Sequence, residues 1–484
     1  MITSHTTSQG RGLPLNRVCL CIATALAAAL GVSANAQPAS YKFTLLRTLS
    51  DPAAGGGNHI NDFEPSALNN RGDVLVTTDL GTSADPNSFF GEGVFLLKAG
   101  QETALARAGD TAPGGGTFDF LELGATGLND AGDGVFSFTL SPFGFPVGVN
   151  SGTFRYSNQP RSVTPVVLGG ATPAPGGGIF QGVFFNNSIN NRGDIVFEGI
   201  INTQQGIHVP GEAYVGLGMG VYNATPQNRI IPVVVPGDAA PDGRTFDYAS
   251  GGYNNDKGDV VFTAHLVGDD ILPENWPAQA VEIGALTGAF LKNASSGTIT
   301  AVARMGDLLP GGTMRAAYGP VINNRGDVAF VGDLSEPPHS GQVSGIYLRT
   351  GRNTVALAIP GTPMPGGGNF VTTSALGAAQ LHLNQRGEVV FNALLDQNNN
   401  GIGDTGLYQW SNGSLSVVAR SGTVIPGLGT IGGLISGVLT FPPANTVAPN
   451  SGAINNDNGK VLFSATLTDG TGVLLLATPT GANK

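Results

Sequence analysis

Asp396-Gln397-Asn398-Asn399-Asn400-Gly401-Ile402-Gly403-Asp404 is where residue types and spacing in this 484-residue chain come closest to chemistry. Oxygens at positions one, three and five (Asp396, Asn398, Asn400), a glycine at six, the Ile402 carbonyl at seven and Asp404 at nine follow the ligand order of a compact calcium loop. Position twelve is Leu407, where an EF-hand carries a bidentate glutamate, so two charged ligands imply modest affinity. The alternative is an Asn/Gly-rich turn that holds no ion.

The other reactive residue types are dispersed. His59, His208, His265, His339 and His382 each fall in a different part of the chain, with no Gly-x-Ser-x-Gly elbow and no His-Glu-x-x-His. A circular fold could gather His208 and His339 with Asp269, Asp270 or Glu274 as a binding or catalytic group, but their spacing does not support one and solvated loop residues are the better reading. Trp276, between Pro273 and Pro277, is a candidate for stacking on a sugar ring; its other use is to pack its loop. Three Arg-Gly-Asp triplets, at 71–73, 192–194 and 325–327, invite an adhesion reading, yet each is the variable part of a repeated turn. The Pro-Gly-Gly-Gly segments are followed by no helix start and no Lys-Ser/Thr, so they read as turns and not as phosphate cradles. Catalysis is therefore undecided and less expected than binding.

The elements that would position these residues are written in a repeat. Asn-x-x-Gly-x-x-x-Phe begins at Asn129, Asn190, Asn255, Asn323, Asn384 and Asn456, and a first copy at Asn69 ends on Val76. Between successive turn glycines (Gly72, Gly132, Gly193, Gly258, Gly326, Gly387, Gly459) the spacings are 60, 61, 65, 68, 61 and 72 residues. Asn followed three residues later by Gly is the signature of a type I turn closed by a left-handed glycine. Alternating apolar residues then mark a half-buried strand, as in Val328 and Phe330. Two more apolar strands, a Pro/Gly turn and a strand of small residues complete the unit. With 74 glycines, 31 prolines and 12% charged residues, the composition suits short strands and turns and not helices.

Seven units of four antiparallel strands predict an all-β, seven-bladed β-propeller. The last unit stops one strand short, and residues 41–50 have the pattern of the missing strand, so the N-terminal segment should complete the final blade and close the ring. The Asn-x-x-Gly turns then share one rim. The loops of variable length (201–219, 267–287, 432–451) share the other, where contacts with a ligand are expected.

The tandem units resemble the NxxGxxxF repeat family of bacterial exported proteins. That resemblance covers nearly all of residues 41–477 and implies export and a repeat β architecture. It brings no established activity and no catalytic residue. Residues 1–36 read as a signal peptide: Arg11 and Arg17, an apolar run from Val18 to Val32, then Ala34-Asn35-Ala36. Cleavage would leave a single domain, 37–484, without cysteine and with 21 basic against 34 acidic residues, a net charge of −13. Disulfides, thiolate metal sites and cysteine nucleophiles are then excluded, and nucleic-acid partners are disfavoured. The sequence thus predicts a secreted, periplasmic or surface-located monomer with no membrane span after cleavage, binding a glycan or a protein, with calcium as the one cofactor suggested. The alternatives are a polysaccharide-active lyase or hydrolase and a purely structural envelope protein.

Overall fold

The computed structural model describes residues 40–121, 127–141, 151–183, 187–202, 217–269, 288–335, 344–373, 381–396, 404–434 and 453–480. Seven antiparallel sheets form the blades of a β-propeller, as the repeat predicts. Blade 1 shows the plan: Asn58–Leu68 innermost, then Val74–Gly81, Phe89–Lys98 and, outermost, Gln101–Arg107. In blades 2, 3, 6 and 7 the innermost strand comes in two short pieces along the same second strand.

The repeated phenylalanine explains why each sheet packs against the next. Phe136, Phe197, Phe262, Phe330, Phe391 and Phe463 are all buried. Five of them pair with an aromatic ring on the neighbouring third strand: Phe136–Phe154, Phe197–Tyr222, Phe262–Phe290, Phe330–Tyr347 and Phe391–Tyr408, with centroids 5.5–6.2 Å apart. Offset pairs of this kind add about 0.5–1.5 kcal/mol each to the burial itself. The core is correspondingly divided into seven apolar clusters, one between each pair of neighbouring blades.

Ring closure follows the expected route. Ser40–Thr48 pairs antiparallel with Gly472–Thr480 as the outermost strand of blade 7, with Phe43 opposite Ala477 and Arg47 opposite Leu474. Phe43 also meets Phe463 edge-on at 6.1 Å. No helix among the described residues is long and apolar enough to cross a membrane.

Candidate functional site: the two rims of the axial channel

Each Asn-x-x-Gly turn is built by its own asparagine. The Asn69 side-chain oxygen accepts from the backbone N–H of Arg71 and Asp73, and Gly72 takes a φ of 87°, which only glycine adopts without strain. The Asn69 amide is then free to donate outward, to the Asn129 carbonyl at 3.0 Å. The same bond runs from Asn129 to Asn190, Asn190 to Asn255, Asn255 to Asn323, Asn323 to Asn384, Asn384 to Asn456, and from Asn456 back to Asn69.

A second closed ring lies beside the first. The backbone N–H of the residue after each asparagine donates to the side-chain oxygen of the equivalent residue in the next blade, at 2.6–2.8 Å. The residues of this ring are Asn70, Asp130, Asn191, Asp256, Asn324, Gln385 and Asp457. No two carboxylates are neighbours, and the amides of Asn70 and Asn191 each reach the aspartates on both sides. Seven is odd, so strict alternation must fail once, and it does so between Asn324 and Gln385.

The Arg-Gly-Asp triplets belong to this same device. Arg71, Arg192 and Arg325 bond the aspartate two residues on, at 2.6–3.0 Å. An added Cβ on Gly132, Gly258 or Gly387 of the next blade would meet these guanidinium groups. On the opposite rim, the glycine-rich turn that leads from one blade to the next is also engaged by protein: Arg107 donates to the Gly55 and Gly56 carbonyls of Ala54-Gly55-Gly56-Gly57. The repeat residues of the Asn-x-x-Gly rim are therefore committed to holding blades together.

The axis between the blades is a polar channel. A cavity of about 230 Å³ is lined by all seven blades, including Glu64, Ser66, Tyr253 and His382. His382 Nδ1 lies 2.8 Å from the Asn455 side-chain oxygen, so it carries the proton; burial holds the ring below the usual histidine range, leaving Nε2 as an acceptor. In blade 1, burial and then repulsion from Asp62 raise the Glu64 carboxyl to about 8, while burial and then Asp79 bring Asp62 to about 6.

Towards the opposite rim, the second strands carry polar side chains on the face away from the repeated phenylalanine, and several of them are buried all the same. Five residues after the turn glycine stand Thr77, Ser137, Glu198, Thr263, Asn392 and Ser464, and seven after it stand Asp79, Thr139, His265, Asp333 and Thr466. Blades 4 and 5 bring the largest of these groups together. Tyr248 stacks on His265 with centroids 5.3 Å apart. His265 Nδ1 lies 3.2 Å from Asp247, and Nε2 lies 3.1 Å from the Asp269 carbonyl. In blade 5 the Tyr318 hydroxyl donates to Asp333 at 3.2 Å, and Arg315 lies 3.8 Å from the same carboxylate. Burial, aided by Asp247 at Tyr248 and by Asp333 at Tyr318, pushes both phenols above their ordinary range. Burial likewise raises Asp333 against the pull of Arg315. With both imidazole nitrogens engaged and both phenols held protonated, the group presents hydrogen bonds, two carboxylates and aromatic surface.

The residues singled out in the sequence fare unevenly. Trp276, His208 and His339 lie outside the described residues, as do Asp270, Glu274, Asn398, Asn400 and Ile402. Asp396 and Asp404 stand at the two ends of the suggested calcium loop, where Leu395 N–H donates to the Asp404 carbonyl. Both Asp396 oxygens accept from Asn369, which holds this exposed carboxyl below its usual range. Asp404 lies 3.5 Å from Arg420. Asp269 is drawn into an ion pair with Arg244. Among the described residues no three His, Cys, Asp or Glu side chains form a metal-binding group. Sequence reading overlooked Tyr248, Tyr318, Asp333 and Arg315; polarity seven positions after the turn glycine points to Asp333, and no position of the repeat marks the other three.

A family model described as a family of unknown function (DUF7453) matches residues 34–313 and again 284–473. No curated protein matches the chain. Among solved structures it is similar to the β-propeller domain of the Trilobed protease from Pyrococcus furiosus, at 10% identity over 87% of this chain and 97% of that one, with a TM-score of 0.45. It is also similar to a PL25 ulvan lyase bound to -[GlcA(1-4)Rha3S]-, at 11% identity over 88% and 95% of the two chains, with a TM-score of 0.42. A third is the α-L-arabinofuranosidase Arb93A from Fusarium graminearum, at 10% identity over 92% and 98%, with a TM-score of 0.35.

Proposed function

Because the chain belongs to the DUF7453 family of unknown function, its role has to be read from its own residues, and we propose that it is an exported binding module that takes a glycan at the rim opposite the Asn-x-x-Gly turns. The leader-like segment 1–36 and the in-phase NxxGxxxF repeat support export to the cell surface or beyond.

The observation that carries this reading is the asymmetry of the two rims. On one, two rings of hydrogen bonds use up the repeated polar groups. On the other, the half-buried Tyr248, His265 and Asp247 stand near Tyr318 and Asp333. An aromatic face beside paired carboxylates and hydroxyls suits the apolar face and the hydroxyl edge of a sugar ring. Trp276, in the 270–287 connection of this rim, would extend that surface. The engaged imidazole and the protonated phenols favour binding over catalysis.

A panel of immobilised neutral and acidic polysaccharides, run alongside a protein pull-down, tests the reading with the mature chain. Retention on a glycan that is lost in Tyr248→Ala and kept in Arg192→Ala is the expected result. Loss in Arg192→Ala alone, or capture of a protein that does not respond to Tyr248→Ala, would move the contact surface elsewhere.

A further inference from the structure

The junction between blades 7 and 1 is chemically unlike the other junctions. Elsewhere the residue that opens each innermost strand and accepts from the preceding turn is apolar and buried: Phe118, Phe180, Phe246, Met314, Phe370 and Ile431. In blade 1 that position is His59, which is completely buried. Its partner is equally exceptional. Five residues before the arginine that ends the outermost strand, blades 4 and 6 carry Ile299 and Leu415, whereas blade 1 carries Glu102 before Arg107.

Glu102 gathers three donors from one continuous stretch of chain. Arg47, in the N-terminal strand of blade 7, donates to Oε2 at 2.6 Å. The Ala54 backbone N–H, in the connection, donates to Oε1 at 2.9 Å. His59 Nε2, at the entry to blade 1, lies 3.2 Å from Oε1. Burial alone would raise this carboxyl, but the hydrogen bonds from His59, Ala54 and Arg47 outweigh it and bring it to about 2. The carboxylate is thus charged under all ordinary conditions, with its side chain 6% exposed.

We propose that Glu102 is a latch that commits the ring to closure by its own N-terminal strand and against exchange of that strand with a second copy of the chain. Without the strand Ser40–Thr48, the edge of Gly472–Thr480 is open and can pair with any strand that reaches it. Exchange between copies requires the connection from 49 to 57 to swing outward as a hinge. Glu102 grips that connection before, within and after the hinge, and it belongs to the blade into which the connection leads. A buried ion pair contributes little net stability compared with apolar packing, but it discriminates sharply between partner geometries. That explains an ionic group at the one junction where the chain closes on itself, at a position where blades 4 and 6 carry the apolar Ile299 and Leu415.

The test uses two differently tagged populations of the mature chain, unfolded in urea, mixed and refolded together. Wild type is expected to return as monomer with almost no mixed-tag dimer. Glu102→Gln should lower Tm by about 3–5 °C and raise the mixed-tag dimer at least fivefold. Since that variant could fail to refold, the apolar replacement His59→Phe/Glu102→Leu is run beside it. It restores the apolar pairing of blades 4 and 6, while Arg47, one-fifth exposed, keeps its hydrogen bond to the Leu46 carbonyl. It should recover most of the lost Tm while keeping the raised dimer fraction. A Glu102→Gln protein with wild-type Tm and no added dimer overturns the latch. So does a double variant that refolds with no more mixed dimer than wild type.

Discussion

The side-chain amide of Asn456 donates to the backbone carbonyl of Asn69 at 3.0 Å, across 387 residues of sequence. It is the same bond that each of the other six repeat asparagines makes to the next, so the ends of the chain are joined by the rule that joins every other pair of blades. Asparagine is required because its oxygen caps the turn while its nitrogen crosses to the neighbour. An aspartate offers only the first of these.

Asn323→Asp therefore loses the donor to Asn384 and sets a carboxylate beside Asp327, inside a buried site. The expected loss is about 2–4 kcal/mol, read as a lower midpoint in urea unfolding. Asn412→Asp, in an exposed hairpin turn, is the control and should leave the midpoint within about 0.5 kcal/mol of wild type.

The acidic group of blade 1 gives the fold a pH dependence of definite sign. Glu64 keeps its proton up to about 8 in the folded chain, against 4.5 as its ordinary value. Between those pH values the unfolded chain has lost a proton that the folded chain retains, so stability falls as pH rises, by at most about 1.4 kcal/mol per pH unit. Asp62, raised to about 6, acts in the same direction over a lower and narrower window. Glu64→Gln removes the larger part, and Tm measured at pH 5 and pH 8 should converge in that variant. An unchanged difference would mean that Glu64 is ionised in the folded chain.

Glycan binding at blades 4 and 5 should depend on the half-buried Tyr248 and on Asp333. Asp333→Asn and Tyr248→Ala are each expected to weaken binding about tenfold in titration calorimetry, which corresponds to about 1.4 kcal/mol. Tyr248→Phe, which keeps the ring and removes the hydroxyl, separates stacking from hydrogen bonding.

Calcium is tested most directly at Asp396. Ion binding to the 396–404 segment would raise Tm with millimolar calcium, and Asp396→Ala would abolish that rise. The same substitution also removes the hydrogen bonds to Asn369, so a fall in Tm without calcium is expected as well. An equal response to calcium in the two proteins would exclude this loop as the site.

Much of the architecture could be read from the chain because it is local and repeated. The period of the turn glycines, the alternation after them and the missing strand at 41–50 each rest on short-range rules of turns and strand pleats, and the sheets follow them. The candidate site was barely legible. Asp247, Tyr248 and His265 lie close in sequence, but Tyr318 and Asp333 come from the next blade, and nothing in one unit announces what the neighbouring unit will set beside it. Glu102 was hidden for the same reason: its three donors make sense only once the two chain ends have met.

The amino-acid sequence by itself determined the blade, its number and the strand that closes the ring, since these depend on turn chemistry and side-chain alternation within some sixty residues. Only the tertiary structure decided what the repeated polar residues are for. Bonds between blades are made in a direction perpendicular to the strands, between residues that share a position in the repeat and not a neighbourhood in the chain. That geometry spends the asparagine, arginine and aspartate of one rim on holding the wheel together and sets Tyr248 and His265 of one blade beside Tyr318 and Asp333 of the next towards the other.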